Sequence, residues 1–170
     1  GSRVPRDLNI HGRDLKGIHF AMEYLIGANK NVGADPRVRP EIDAKGKNVI
    51  VIGGGDTGAD CVGLAHRQGA GCVVQIELLP KPPECRTAEC PWPKYPMLLK
   101  TSTSHEEGGE RKWSVNTKKF IGENGCVKKL LCVNADAVNG NLPLGNKEFE
   151  IDADLVILAL GFLHPGKKAL

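Results

Sequence analysis

The sequence predicts an α/β fold: a parallel sheet flanked by helices, with an antiparallel hairpin or meander inserted between two of its strands. Three observations predict it. Residues 48–52 (NVIVI) and 152–161 (DADLVILALG) each carry an apolar run without alternation, the pattern of strands covered on both faces in a parallel sheet. A helical pattern over residues 57–68 joins the first of these strands to another, CVVQIELL (72–79), which makes a βαβ unit of about 30 residues. Residues 112–138 instead read as two strands about the turn Asn124-Gly125, a strong hairpin signal.

Taken in order, residues 4–17 are turn-rich, with Pro5 and Gly12. Residues 15–29 place Ile18, Ala21, Met22, Leu25 and Ile26 at helical intervals, so a helix with one apolar face is expected there. A polar linker with Pro36 and Pro40 leads to the strand 48–52, and Gly69 closes the helix Thr57–Gln68. Residues 80–113 are rich in proline and polar residues and read as one long structureless connection, expected to cover a ligand or to contact a neighbouring domain. After the hairpin, KEFEI (147–151) supplies a third strand, and DADLVILALG (152–161) a further buried strand ended by glycine.

With 170 residues, 41% of them hydrophobic and 25% charged, the chain is sized for one soluble domain with a real core. Its net charge of +3, with scattered Lys and Arg, is too weak a footprint for nucleic acid. The one long apolar run is about half of what a spanning helix needs, and the first residues are not expected to act as a signal peptide. A cytoplasmic protein is expected. The six cysteines lack disulfide or zinc spacing and are expected to be free thiols.

The chemistry concentrates in Gly53-Gly54-Gly55-Asp56-Thr57-Gly58, which fits G-x-G-x-x-G between a strand and a helix. Gly53 permits the tight turn, Gly55 lets a pyrophosphate approach the backbone, and Gly58 lets helix and strand pack closely. The first N–H groups of the helix and its dipole would face the phosphates, with Asp56 or Thr57 able to cap. Glu77 follows Gly58 by 19 positions, the place of a carboxylate that accepts from ribose hydroxyls. That spacing leans toward NADH; Lys81 and Arg86, just downstream, could pair with the 2′-phosphate of NADPH. The motif therefore predicts a Rossmann-like NAD(P)-binding domain.

Other residues carry less. His105-Glu106-Glu107 resembles part of a metalloprotease helix but lacks the second His, so a charged, solvated loop is expected and no metal ligand is assigned. Trp92 and Trp113 read as core or loop anchors, and His66 as a surface residue of the helix. No catalytic residue can be assembled from spacing.

The segments IHFAMEYL, GKNVIVIGGGDTGADCVG, ELLPKPPECR, PWPKYP, SHEEG and TKKFIGENG together resemble the small (beta) subunit of glutamate synthase, from about Pro5 to Gly161. PWPKYP and SHEEG are more particular to that family than the glycine turn. Asn9 and His11 stand where the family usually has prolines. The resemblance implies an NAD(P)H-binding domain inserted into a split FAD domain. Residues 1–14 would then arrive from the flavin domain, 15–161 form the NAD(P)H-binding domain, and 162–170 begin the return, with Gly161 beside the cofactors. It further implies an oxidoreductase parent that passes hydride from NADH or NADPH to FAD. Electrons would continue through iron–sulfur clusters, held outside this sequence, to a large subunit that forms glutamate from 2-oxoglutarate and glutamine. The isolated domain is expected to bind nucleotide and to be inactive. A related FAD/iron–sulfur oxidoreductase subunit, or a non-catalytic nucleotide-sensing module, would share the glycine turn.

Overall fold

The computed structural model describes residues 4–30, 40–88, 90–95, 98–135 and 147–164. The elements are β1 (Ile18–Phe20), α1 (Ala21–Lys30), β2 (Asn48–Ile52), α2 (Asp56–Arg67), β3 (Cys72–Ile76), α3 (Thr103–Glu106), β4 (Glu110–Lys112), β5 (Val115–Glu123), β6 (Cys126–Asn134), β7 (Glu148–Asp152) and β8 (Leu155–Leu158). Five strands form a parallel sheet in the order β1-β8-β2-β3-β4, and β5-β6-β7 form a separate antiparallel sheet. The α/β reading with an antiparallel meander holds.

Two cores lie on the two faces of the parallel sheet, and strand alternation assigns residues to them. Val49 and Val51 of β2 join Tyr24, Cys61, Val62, Ala65 and Ile157 on the helix side. Ile50 and Ile52 join Phe120, Val127, Leu130, Cys132 and Leu158 against the antiparallel sheet. Successive side chains of a strand point to opposite faces, so the unbroken run NVIVI feeds both layers. Each such buried Val or Ile contributes roughly 1.5–3 kcal/mol.

Three expectations need correction. The helix predicted over 15–29 begins only at Ala21, because Ile18–Phe20 pair in register with Val156–Leu158 as an edge strand. Its buried residues are Ala21 and Tyr24, whereas Met22 and Ile26 are exposed at 39% and 46%. The phenol of Tyr24 donates to Gln68 Oε1 at 2.8 Å, and the Ala44 N–H shares that acceptor. The connection 80–113 is not structureless: α3 packs on α2, and β4 adds an edge strand beside β3. Trp92, expected as an anchor, is 81% exposed.

The hairpin turns as expected, with Asn124 (φ 53) and Gly125 (φ 76) both in the left-handed region that a type I′ turn requires. All six cysteines are free thiols. Burial pushes the Cys61 thiol up to about 12 and that of Cys132 up to about 11, so both stay protonated and inert near neutrality.

Asp154, just ahead of β8, ties the two sheets together. Its Oδ2 accepts from the Asn48 N–H and Nδ2, each at 3.2 Å, and its Oδ1 accepts from Lys128 Nζ on β6 at 3.0 Å. The Asn48 N–H, then the Lys128 ammonium, hold this carboxyl below its ordinary value of 3.8. A depressed carboxyl stabilises the fold above the unfolded value and loses that contribution as pH falls through the folded one. Asp154→Ala is expected to cost about 1–2 kcal/mol at pH 7. In urea titrations, the gap to the wild type should close below about pH 4.

Candidate functional site

From Ile52 the chain turns through three glycines into α2, and each glycine answers a different demand. Gly53 has φ +123, and a Cβ on it would lie 2.2 Å from the carbonyl oxygen of Ala159. Gly58 sits in the first turn of α2, where a Cβ would lie 2.3 Å from the Gly53 oxygen and 2.8 Å from Gln75 Nε2. Gly54 leaves room for Glu77, whose Oε2 accepts from the Gly54 N–H at 2.5 Å. A Cβ on Gly55 would meet no atom within 4 Å. The tight turn and the close packing are thus satisfied inside the protein, while Gly55 faces open space.

Gly55 is also the N-cap of α2, and no side chain caps this helix. The capping role expected of Asp56 or Thr57 is not taken up: the N-cap is Gly55, Asp56 is the exposed first helical residue, and no side chain makes a cap hydrogen bond. The first-turn N–H groups, carrying the positive end of the helix dipole, are therefore left for an outside acceptor.

These atoms open on a cleft of about 370 Å³. Gly54, Gly55, Asp56 and Glu77 line one side, and the 80–113 segment supplies Pro80, Tyr95, Leu99, Arg111 and Trp113 on the other. The mixture of apolar walls and few polar groups suits a flat aromatic ring with a charged tail. Among the described residues no cluster of His, Cys, Asp and Glu could hold a metal ion.

Beneath the cleft runs a chain of hydrogen bonds that ties α3 to the glycine turn. The Ser102 N–H donates to His105 Nδ1 at 3.2 Å, so His105 Nε2 carries the proton and donates to Gln75 Oε1 at 2.8 Å. Gln75, 3% exposed, in turn donates from Nε2 to the Gly53 oxygen at 2.8 Å. The segment SHEEG is consequently not a solvated loop. It is a capped helical turn packed on α2, with only Glu106 and Glu107 exposed and Arg67 paired to Glu107 at 2.5 Å.

The remaining expected residues divide by place. Lys81 sits outside the cleft lining, its Nζ 5.7 Å from the Trp113 ring centroid and 3.5 Å from Glu84. Arg86 donates from Nη1 to the Cys90 and Lys94 carbonyls, at 2.9 and 2.7 Å, within its own loop. Thr57 and Gly161 line a different, smaller depression with Pro5, Phe20 and Phe162. His66 is half-buried rather than on the surface, its ring against Gly108 and Gly109. Sequence reasoning missed Gln75 and Arg111, and placed His105 in a solvated loop. The available signal was alternation: Gln75 lies two residues before Glu77, and Arg111 two before Trp113.

Comparison with known proteins shows what the chain resembles. The glutamate synthase [NADPH] small chain of Mycobacterium tuberculosis is 46% identical over 175 residues, covering 100% of this chain and 36% of that protein. By sequence, the chain is a relative of the glutamate synthase small chains. It spans about a third of their length. The glutamate synthase [NADH] of Schizosaccharomyces pombe is 45% identical over 183 residues, covering 99% of this chain and 9% of that one. No protein-family model matches. Among solved structures, the thioredoxin reductase of T. acidophilum superposes with TM-score 0.59 at 17% identity, covering 96% of this chain and 42% of that one. An FAD-dependent pyridine nucleotide-disulphide oxidoreductase from Desulfovibrio vulgaris gives 0.57 at 18% identity, covering 95% and 34%. These likenesses establish the Rossmann-like fold of this glutamate synthase relative.

Two glycines separate site from scaffold. Gly55→Val should still fold, because its Cβ meets nothing, at a cost of about 1 kcal/mol for the poorer N-cap, and should lose at least about tenfold in nucleotide affinity by filling the space beside the turn. Gly58→Ala should instead unfold at lower temperature, since its methyl meets the Gly53 carbonyl. Thermal melts and titrations on both variants check the pair. Burial, and then the charge of Arg111, hold His105 below its ordinary 6.5. Its contribution is thus present above pH 6.5 and lost as pH falls through the lowered value. The stability difference between wild type and His105→Gln should shrink on acidification over that range.

Proposed function

We propose that this chain is an NAD(P)H-binding domain that holds a reduced nicotinamide for transfer of its hydride to FAD in a glutamate synthase-type oxidoreductase. The observation that carries the reading is the uncapped N-terminus of α2, opening at Gly55 into the cleft. A pyrophosphate fits there: the backbone N–H groups offer donors, the helix dipole favours the anion, and no Cβ intrudes. Glu77, fixed by the Gly54 and Leu79 N–H groups, can accept from ribose hydroxyls, and the walls from the 80–113 segment suit the adenine.

The redox chemistry would be the cofactors' own, and the residues of this chain bind and orient. No side chain here is given a catalytic role. A pair of antiparallel segments supports the expectation that a flavin domain adjoins. Pro5 bridges to Phe162, with the Val4, Arg6 and Leu163 N–H groups bonded to His164, Gly161 and Val4 across the pair. This pair lies beside the depression that holds Thr57 at the start of α2. FAD and iron–sulfur clusters belong, in this reading, to parts of the parent protein outside the sequence. The large subunit that forms glutamate from 2-oxoglutarate and glutamine would receive the electrons. Among the described residues no helix is long and apolar enough to cross a membrane, and the parent is expected to work in the cytoplasm.

Calorimetric titration of the chain with NADH and NADPH side by side tests the proposal. Saturable binding of at least one, lost in Gly55→Val, supports it. Binding of neither, or binding indifferent to Gly55→Val, overturns it.

A further inference from the structure

The register of β3 and β4 assembles a second polar group beside the glycine turn. Gln75 and Arg111 are opposite each other in the ladder, and the backbone pairing runs on through the Glu77 N–H to the Lys112 carbonyl at 2.9 Å. Glu77 and Trp113 follow two residues on, just past the strand ends where the pairing continues, so all four side chains share one face. They line a recess together with Gly54 and Lys112.

Arg111 is held there without being neutralised. Its guanidinium carbon lies 5.0 Å from the Trp113 ring centroid, and Nη1 donates to the Lys100 carbonyl at 3.1 Å. Among the described residues it makes no ion pair, and Glu77 spends its oxygens on backbone N–H groups rather than on Arg111. A fixed carboxylate and a fixed, unpaired guanidinium thus face one recess. The other nearby cations are differently engaged. Lys112 pairs with Glu110 at 3.1 Å, Lys81 with Glu84, and Arg86 with loop carbonyls. Lys100 lines the wide cleft but not the Glu77 recess.

We propose that Arg111 is the specificity-determining residue of this site: it pairs with a phosphate on the 2′-oxygen of the adenosine ribose, while Glu77 accepts from that ribose when it is unphosphorylated. The inference rests on the nucleotide reading above and moves 2′-phosphate recognition away from Lys81 and Arg86. A guanidinium meets a phosphate through two parallel N–H bonds and loses little freedom when already stacked on an indole. A site so built admits both NADH and NADPH, each through its own side chain.

The test titrates wild type, Arg111→Gln, Arg111→Lys, Lys81→Gln and Arg86→Gln with NADH, NADPH, AMP and adenosine 2′,5′-bisphosphate, read by calorimetry. The wild type should bind both members of each pair. Arg111→Gln should weaken NADPH and the bisphosphate about tenfold or more while leaving NADH and AMP within about twofold, which also shows that the variant is folded. Arg111→Lys should recover part of the loss, and Lys81→Gln and Arg86→Gln should change neither pair. The proposal is overturned if Arg111→Gln weakens both nucleotides alike or leaves NADPH unchanged, if Lys81 or Arg86 carries the loss, or if the wild type takes NADH and refuses NADPH. Failure of the wild type to bind any of the four sinks the nucleotide reading itself, a result distinct from the others.

Discussion

The carbonyl of Gly53 is the point on which the site depends. Its oxygen accepts from Gln75 Nε2, and the missing side chain of Gly58 lets the first turn of α2 come down on it. The N–H of the same residue bonds to the Ile76 carbonyl at 2.9 Å, so both of its polar groups look toward β3. A buried amide left without partners costs about 1–3 kcal/mol, and that cost forbids the turn from relaxing. With Gly53 fixed, the direction of α2 is fixed, and with it the aim of the uncapped N–H groups. Gln75 meets the turn from below and His105 meets Gln75 from the side, so a segment far along the chain sets the geometry of the glycines.

The two layers around the parallel sheet divide the work. The helix layer carries the turn, the polar strut and the cleft. The antiparallel layer is chiefly apolar toward the sheet, and its hydrophobic contacts with β2, β3 and β8 hold the strand ends that the turn springs from. Asp154 links the layers by hydrogen bonds to β2 and β6. The exposed ion pairs along β5, β6 and β7, such as Lys118–Glu148 and Lys129–Glu150, contribute little by comparison, being screened by solvent.

Much of this was legible in the residues. The doubly buried run NVIVI, the Asn-Gly turn and the spacing of Gly53, Gly55 and Gly58 carry their physical reasons locally, and local reasons can be read from a string. Ile18–Phe20 could not be read so: apolar residues three and four apart fit a helix, and only the distant β8 makes a strand preferable. Arg111 and His105 were hidden for the same reason. Nothing near residue 111 reveals that it lies opposite Gln75, since the pairing spans a proline-rich connection whose length gives no register. The position of Glu77 beside the turn was legible because its distance from the glycines reflects one compact βαβ unit; Lys81 and Arg86 share that closeness in sequence without sharing the recess.

The bridge between Pro5 and Phe162 bears on how such a fold can be carried by other chains. Segments that run side by side, joined by backbone hydrogen bonds, would present to a flanking polypeptide the outline of a tight hairpin. The entropy of closing the long intervening loop is met by the domain's own packing, and a host would bear only the small cost of a short turn. Pro5 and Phe162 belong to neither apolar core, so polypeptide joined there would leave both cores undisturbed.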